Sequence, residues 1–329
     1  DKTESMKGQS IDLMNYTTAS EFIGYASFKT EANVLALFKN GVRVASLDDE
    51  GEIILDVTPF YAESGGQIAD TGCLIFNEGE ALVIDVQKAP NKQNLHKIRV
   101  LVGEIKEGDQ VSAQIDVKKR QNITRNHSSA HLLQAALKQI VGEHIHQSGS
   151  FVSDEYMRFD FTHFEKVEEK KLKAIEVMVN EAIYNAHPVC FALLPIEEAK
   201  AQGAMALFSE KYDAIVRVVT MGDVSKELCG GCHVNNTQEL TLFKIVSEES
   251  IGSGIRRITA KTGAHAYQDF VSYQNQLETI ASYYKANSTH NIENRVEYSL
   301  IELHETKQVL NQAKQKLAVL EAKVLNHEF

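Results

Sequence analysis

The first third of the chain alternates short apolar runs with turn signals. Between residues 19 and 118, turns rich in glycine, asparagine and aspartate separate the segments "NVLALFK", "RVASL", "EIILDV", "ALVIDVQ", "KIRVLV" and "QVSAQIDV". Many short strands with regular turns are typical of a small barrel or sandwich. We therefore expect a small β-barrel domain over residues 19–118. The polar segment 1–18 before it is interpreted as the remnant of a preceding unit.

The pattern changes to a helical period near Lys118. The segment "TRNHSSAHLLQAALKQIVG" carries an apolar stripe before the stop signal Gly142, formed by Ala130, Leu133, Leu137 and Ile140. A second helix is predicted at about 166–186, and strands are predicted at "VCFALLP", "AIVRVVTMG", "LTLFKIVSEE" and "GIRRITAKTG". Residues 119–264 should therefore form an α+β domain, which makes α+β the fold class of the chain.

The last part of the chain, 265–329, is predicted to be a helical linker or coiled coil. Residues three and four apart form a heptad seam: Leu303, Thr306, Leu310, Ala313, Leu317, Leu320 and Val324. Such a seam would allow self-association through this helix. The alternative is a single amphipathic helix that lies on a core.

Charge and cysteine content narrow the class of protein. With 329 residues, a net charge of -11 and a pI of about 5.6, the chain is unsuited to indiscriminate nucleic-acid binding, although a local basic patch can still bind RNA specifically. Four unevenly spread cysteines do not suggest a disulfide scaffold, so a reducing, cytoplasmic compartment is expected. No apolar run reaches membrane-span length and no signal peptide is recognised. The first residue is Asp1, which suggests a processed chain or a fragment.

Two short clusters carry donor atoms suited to a soft metal ion. In "ELCGGCHV", Cys229 and His233 lie four residues apart, and the glycines between them permit a tight turn. On the first predicted helix, His127 and His131 are also four apart, so both rings project from one face, away from the apolar stripe. Together these nitrogen and sulfur donors form a tetrahedral zinc set, whereas magnesium and calcium prefer oxygen.

Spacing alone leaves the fourth ligand open. Cys229 and Cys232 form a C-x-x-C pair, a spacing found in zinc knuckles and redox sites. Cys232 therefore competes with His233 for the metal. A redox pair is the other alternative, although no thioredoxin-like βαβ pattern surrounds it.

Several segments in register resemble the alanyl-tRNA synthetase family outside its aminoacylation domain. They are "TPFYAESGGQIADTG", "NHSSAHLLQAAL", "GAMALFSEKYD", "ELCGGCHV" and "GIRRITAKTG". The resemblance covers roughly residues 20–265. Free-standing alanyl-tRNA editing proteins share this core, but the strands before residue 118 and the long helical tail favour the synthetase.

The resemblance implies a ligand set and an activity. The zinc ligands of the family fall on His127, His131, Cys229 and His233, and the family usually has threonine where this chain has Cys232. The thiol of Cys232 either replaces threonine without effect or can coordinate the metal. The implied activity is hydrolysis of tRNA(Ala) wrongly charged with serine or glycine. Without the aminoacylation domain, the chain is not expected to ligate alanine.

Three side chains are candidates for reading the amino acid. A buried group that hydrogen-bonds the serine hydroxyl would be left unpaired by alanine, and such sites discriminate strongly. The candidates for this group are Ser128, Ser129 and the amide of Gln67. Gln67 is included because Gly65 and Gly66 permit a tight turn that could direct its side chain into the site. The alternative for Gln67 is a plain hairpin with its side chain in solvent. Direct attack by water is preferred, since no nucleophile–base spacing stands out.

Basic side chains near the two metal half-sites are candidates for tRNA contact. They are the cluster "KKR" at 118–120 with Arg125, and Arg256, Arg257 and Lys261. Each of these side chains is equally compatible with a solvated surface charge. Arg256 and Arg257 could also form ion pairs with Glu248 or Glu249. A zinc-stabilised tRNA-binding module without catalysis, and a structural coiled-coil adaptor, are the competing functions.

Overall fold

The structure is a computed structural model that describes residues 11–205 and 213–325. The chain folds into two compact units, of which the first ends at Ala266 and the second begins at Tyr267. The predicted α+β class is confirmed: β-strands dominate the beginning, helices and strands mix in the middle, and long helices follow. The boundaries at residues 18 and 118 stay predictions.

The N-terminal part of the first unit is a six-stranded antiparallel barrel. Its elements in chain order are α1 (Ile11–Asn15), β1 (Glu21–Phe22), β2 (Lys29–Lys39), β3 (Val42–Val44), β4 (Ser46–Leu47), β5 (Glu50–Leu55), β6 (Val57–Thr58), β7 (Gly72–Phe76), β8 (Gly79–Lys88), β9 (Asn94–Val102), β10 (Ile105–Lys106) and β11 (Gln110–Ile115). Neighbours pair in the order β2-β5-β9-β8-β7-β11, and β11 returns to β2, which closes the ring. Closure leaves no open edge among these six strands.

Alternating side chains fill the barrel interior. Val34, Leu37, Ile53, Leu74 and Ile98 are buried in one cluster. Val34 and Leu37 of β2 share this interior face because the strand has a register shift between Val34 and Ala36. The sequence pattern does not predict strand β7. Its sequence, "GCLIF", is short and begins with a glycine, and its pairing with β8 and β11 fixes it in the barrel.

The second part of the first unit combines three helices with two small antiparallel sheets. Its elements are α2 (Val117–Ile140), β12 (Gln147–Val152), β13 (Met157–Thr162), α3 (Glu169–Tyr184), β14 (Val189–Pro195), α4 (Ile196–Ala201), β15 (Ile215–Met221), β16 (Ser225–Leu228), a 3-10 turn (Thr237–Leu240), β17 (Phe243–Gly252) and β18 (Ile255–Thr262). One antiparallel sheet has the order β12-β13-β18-β17, and the other has the order β14-β15-β16. Both predicted helices and all four predicted strands of this region are present.

Helix α2 begins earlier than its apolar stripe predicts. Asp116 caps it by accepting a hydrogen bond from the backbone N–H of Lys119 at 2.9 Å. The additional first turns are polar, yet Arg120 and Ile123 within them are buried. Arg120 bonds to Asp70 of the barrel part, whereas Ile123 packs in the same core cluster as the apolar stripe of the later turns.

A buried ion pair joins α2 to the barrel. Arg120 and Asp70 are each 2% exposed, and Nε of Arg120 donates to Oδ1 of Asp70 at 2.9 Å. The same guanidinium donates to the backbone carbonyls of Gly24 and Pro59. The interpretation of the 118–120 cluster as a tRNA contact is wrong for Arg120, because its charge is buried and paired.

The C-terminal unit is helical. Helix α5 (Gly263–Tyr283) leads into it, and α6 (Ile292–Leu325) follows after a short 3-10 turn (Thr289–Asn291). The leucines and the valine of the predicted seam are between 49% and 60% exposed. Pairing of this seam with a second helix stays a prediction. Within the ranges described, no helix combines the length and apolarity needed to cross a membrane.

We predict that Asp70→Ala lowers the free energy of unfolding by about 3–5 kcal/mol, because the guanidinium of Arg120 would stay buried without its counter-charge. Urea unfolding followed by circular dichroism measures this. The matched control is Glu50→Ala, which removes the carboxylate of the exposed Arg99–Glu50 pair and should barely move the unfolding midpoint. Equal shifts for the two variants would contradict a special role for the buried pair.

Candidate functional site

Four side chains from two distant segments converge on one point. Helix α2 supplies His127 and His131, and the loop after β16 supplies Cys229 and His233. One ligand atom from each residue lies within 4.8 Å of all the others. Sγ of Cys229 is 3.5 Å from Nε2 of His127 and 3.3 Å from Nε2 of His233. This cluster could hold a metal ion, and it is the ligand set that the resemblance implies.

The local sequence explains the close approach of the two segments. His127 and His131 lie one helical turn apart, so their rings share a face of α2. In the loop, a Cβ atom on Gly231 would lie only 2.0 Å from Cε1 of His127. Glycine is therefore required at this position for the loop to reach the helix.

Two of the three histidines turn their second ring nitrogen toward a hydrogen-bonding partner outside the cluster. Nδ1 of His127 lies 2.7 Å from Oε1 of Gln67, and Nδ1 of His233 lies 3.0 Å from Oγ of Ser128. Oε1 of Gln67 accepts only, so Nδ1 of His127 carries the proton and Nε2 keeps its lone pair for the cluster. Such outer partners fix ring orientation at metal sites.

The third histidine faces a buried carboxyl group. Nδ1 of His131 lies 3.4 Å from Oε2 of Glu227, and neither atom has a hydrogen-bond partner among the described residues. Burial raises the pKa of Glu227 to about 8. A histidine between a metal position and a carboxylate is a recurrent arrangement in metal sites.

Burial sets the protonation of the four candidate ligands. It lowers the pKa of His127 to about 4 and the pKa values of His131 and His233 well below the ordinary range. The imidazoles are therefore neutral, which is the form that binds a metal. Burial also raises the pKa of the Cys229 thiol to about 12, so a cation bound there would displace its proton.

Gln67 lies inside the site. Gly65 and Gly66 have φ angles of +60° and +85°, and the turn they form places Gln67 at 0% exposure. Its Oε1 accepts from the backbone N–H of Cys232 at 2.8 Å as well as from His127. The alternative of a solvent-facing hairpin is wrong. Its Nε2 is buried and has no hydrogen-bond partner among the described residues.

The two candidate serines are both fully buried but face different partners. Oγ of Ser128 contacts His233 and accepts from the backbone N–H of Val234 at 3.2 Å. Oγ of Ser129 donates to the backbone carbonyl of Asn126 at 2.7 Å. Ser128 therefore supports a candidate ligand, whereas Ser129 is occupied within its own helix. Their part in reading the amino acid stays a prediction.

The basic candidates on α2 and β18 lie among partners of their own. Arg125 donates to the backbone carbonyl of Glu239 and to Oδ1 of Asn122. Arg256 pairs with Glu248, as the ion-pair alternative predicts, and Arg257 makes two hydrogen bonds to Asp160 at 2.7 and 2.8 Å. Lys261 is half-buried on β18. Contact of these side chains with RNA stays a prediction, and for the arginines it would compete with the existing bonds.

A cavity of about 390 Å³ opens beside the cluster. Cys232 and His233 form part of its wall, together with Tyr25, Phe191 and Arg217. Nη1 of Arg217 donates to the backbone carbonyls of Cys229 and Gly231, and the hydroxyl of Tyr25 donates to the carbonyl of Gly230. Three consecutive carbonyls of the ligand loop are thus held in place.

Sequence reasoning missed Tyr25, Arg217 and Glu227. Arg217 sits within a plain strand pattern and Tyr25 in a loop 205 residues before its partner, so no local periodicity marks either of them. Glu227 opens the segment "ELCGGCHV". Its position directly before the ligand loop was the available signal.

Two family models match the chain. The family described as "tRNA synthetases class II (A)" matches residues 1–119, which include the barrel. The family described as "Threonyl and Alanyl tRNA synthetase second additional domain" matches residues 216–259, which include Cys229 and His233. Barrel and ligand loop together therefore define a part of a class II tRNA synthetase.

Curated relatives narrow the class further. The alanine–tRNA ligase of Bacillus anthracis is 53% identical over 267 residues, which are 80% of this chain and 30% of that protein. The alanine–tRNA ligases of Shouchella clausii and Geobacillus thermodenitrificans are each 46% identical over 99% of this chain. The chain belongs to the alanyl-tRNA synthetase family. It spans about a third of the length of these relatives, between 30% and 38%.

We predict that Ser128→Ala weakens metal binding about ten- to a hundredfold, since the partner that orients His233 is lost. Competition against a chromophoric chelator, with zinc as the probe, measures the affinity. Ser129→Ala is the matched control, because its hydroxyl bonds only the backbone of α2, and it should leave the affinity unchanged. Equal affinities for the two variants would show that Ser128 does not tune the site.

Proposed function

We propose that this chain hydrolyses the ester bond of tRNA(Ala) wrongly charged with serine or glycine, at a site that holds zinc. The observation that carries the proposal is the buried cluster of three histidines and one cysteine beside a cavity open to solvent. Membership of the alanyl-tRNA synthetase family supplies tRNA(Ala) as the substrate class. A cytoplasmic location fits this substrate.

The donor set fits zinc. Zn–S bonds of about 2.3 Å and Zn–N bonds of about 2.0–2.1 Å at tetrahedral angles put sulfur and nitrogen about 3.6 Å apart. The corresponding separations from Sγ of Cys229 are 3.5 Å and 3.3 Å. His127, His131, Cys229 and His233 would hold the ion. When bound, zinc supplies positive charge that fixes the ligand loop and polarises nearby carbonyl oxygens.

Four protein ligands would complete a tetrahedron around the ion, so positioning of the reactants would fall to the protein's own groups. Nε2 of Gln67 is a buried donor without a hydrogen-bond partner among the described residues, and we propose that it donates to the substrate. A donor of this kind gains a hydrogen bond from the serine hydroxyl and gains none from alanine, which supports discrimination between them. Hydrolysis of the glycine ester, but not of the alanine ester, requires a site wall that excludes the methyl group of alanine.

A zinc-stabilised tRNA-binding module without catalysis is the second candidate. Four protein ligands favour it, because a tetrahedral ion held by all four would have no open position to activate water. Deacylation of Ser-tRNA(Ala), Gly-tRNA(Ala) and Ala-tRNA(Ala) by the purified chain, with and without chelation, decides between the two. Release of serine and glycine but not alanine supports hydrolysis, and binding of tRNA without release supports the module.

We expect about one zinc ion per chain, and loss of that zinc in the double variant Cys229→Ala, His233→Ala. Elemental analysis of freshly purified protein measures it. Cys232→Thr is the control and should keep zinc and activity, because the substitution leaves in place the backbone N–H of residue 232 that donates to Oε1 of Gln67. Zinc loss in Cys232→Thr would make Cys232 a ligand and overturn the assignment of His233.

Substitution at Gln67 should impair hydrolysis more than tRNA binding. Gln67→Glu keeps an acceptor oxygen for His127 and Cys232 but removes the Nε2 donor. A lost hydrogen bond of about 0.5–1.5 kcal/mol lowers the rate about three- to tenfold, and Gln67→Ala should lose at least as much. Single-turnover deacylation of Ser-tRNA(Ala) gives the rate, and filter binding gives the affinity.

The control for Gln67 is Gln87→Ala, at an exposed position on β8. It should change neither quantity. Equal loss of binding and hydrolysis in Gln67→Glu, with zinc retained, would assign Gln67 a purely structural part.

A further inference from the structure

Three aromatic rings line the cavity beside the ligand cluster and stay open to solvent. Tyr25 and Phe28 come from the loop before β2, and Phe191 comes from β14. These residues are between 40% and 48% exposed. Large apolar side chains gathered at the rim of one cavity mark a ligand surface more often than single exposed apolar residues do.

The guanidinium groups of two arginines that also line the cavity lie over these rings. The guanidinium of Arg217 lies 4.1 Å from the ring centre of Tyr25 and 4.4 Å from that of Phe191. The guanidinium of Arg120 lies 5.9 Å from the ring centre of Phe28. Both cations are tethered elsewhere, Arg217 to the ligand loop and Arg120 to Asp70. The rings are therefore held in place before any ligand binds.

The cavity joins the aromatic rim to the candidate metal centre. His233 and Cys232 lie at one part of its wall, and the rings lie at another. Thr124 and Asn235 add polar side chains between a helix and the ligand loop. Its volume of about 390 Å³ lies within the range of small-molecule sites. A ligand with a flat, stackable part and a polar reactive end would match this layout.

We infer that this cavity binds the terminal nucleoside of the RNA, with its base stacked on Phe191 and Phe28 and its aminoacyl end directed toward His233. The inference rests on the proposed function, since it supplies the place of the base in that site. Stacking on aromatic side chains does not require a particular base edge, so the rings act as a platform for the last nucleotide. Tyr25 has a different part, because its hydroxyl holds the carbonyl of Gly230.

The test uses an RNA minihelix that ends in CCA and carries 2-aminopurine as the last base. Emission of 2-aminopurine falls when the base stacks, and the chain contains no tryptophan to interfere. We expect quenching on binding to the wild-type chain. Phe191→Leu and Phe28→Leu should abolish most of the quenching and weaken binding about fivefold or more, in line with the contribution of one stacked base.

Phe164→Leu is the matched control. Phe164 is 87% exposed between β13 and α3 and does not line the cavity. Its replacement should leave quenching and affinity unchanged. Zinc content is measured for every variant, so that a loss of quenching is interpreted only where the metal centre is intact. Two ring variants, on different segments of the chain, keep the test decisive if one of them fails to fold.

The outcomes separate this inference from the proposed function. Absence of quenching in the wild type, or full quenching in zinc-loaded Phe191→Leu and Phe28→Leu, overturns the base platform. If the wild-type chain shows no quenching but still hydrolyses Ser-tRNA(Ala), the proposed function is retained and only the base platform is overturned. Quenching that depends on Phe191, in a chain that releases no serine, supports the platform and overturns the proposed hydrolysis.

Discussion

A single buried acceptor, Oε1 of Gln67, joins three segments that are far apart in sequence. It receives one hydrogen bond from His127 on α2 and another from the backbone of Cys232 in the ligand loop, while Gln67 itself belongs to a loop of the barrel part. A buried polar group must be paired to be stable, so displacement of any one segment would leave the others with unmet hydrogen bonds. The geometry of the cluster therefore depends on correct docking of the barrel against α2. The Arg120–Asp70 pair secures that docking from an earlier turn of the same helix.

Local sequence predicted the parts of this site that rest on a short-range period. The spacing of His127 and His131 puts both rings on one face because an α-helix repeats every 3.6 residues. The turn at Gly65 and Gly66 is equally local, since glycine favours positive φ. The short apolar segments and their turns likewise predicted the small β-barrel, but the strand "QSGSFV" of β12 was beyond this reasoning. Glycine and serine weaken the strand signal of β12, which is fixed by its pairing with β13.

Contacts between residues far apart in sequence determine which basic side chains are already paired, and the sequence motifs do not show this. Adjacent arginines at 256 and 257 look alike in a motif, yet each is matched to a carboxylate supplied by a different strand. The nearest carboxylate in the fold, not the local charge pattern, determines whether such a side chain is available to phosphate. Arg217 shows the converse, because its sequence context gives no sign that it belongs to the site. It lies in an unremarkable strand but is tethered to two carbonyls of the ligand loop and packs between two rings.

Charge compensation links the ligand cluster to its outer partners. Burial alone keeps the thiol of Cys229 protonated and raises the pKa of Glu227 to about 8, so these side chains by themselves are close to electrically neutral. A divalent cation would bring two positive charges into this buried space, and the Cys229 thiolate would offset only one of them. The carboxyl group of Glu227, 3.4 Å from Nδ1 of His131, is placed to offset the second by losing its own proton. With a cation bound, Glu227 would share in the charge balance of the site, although it does not lie among the converging atoms.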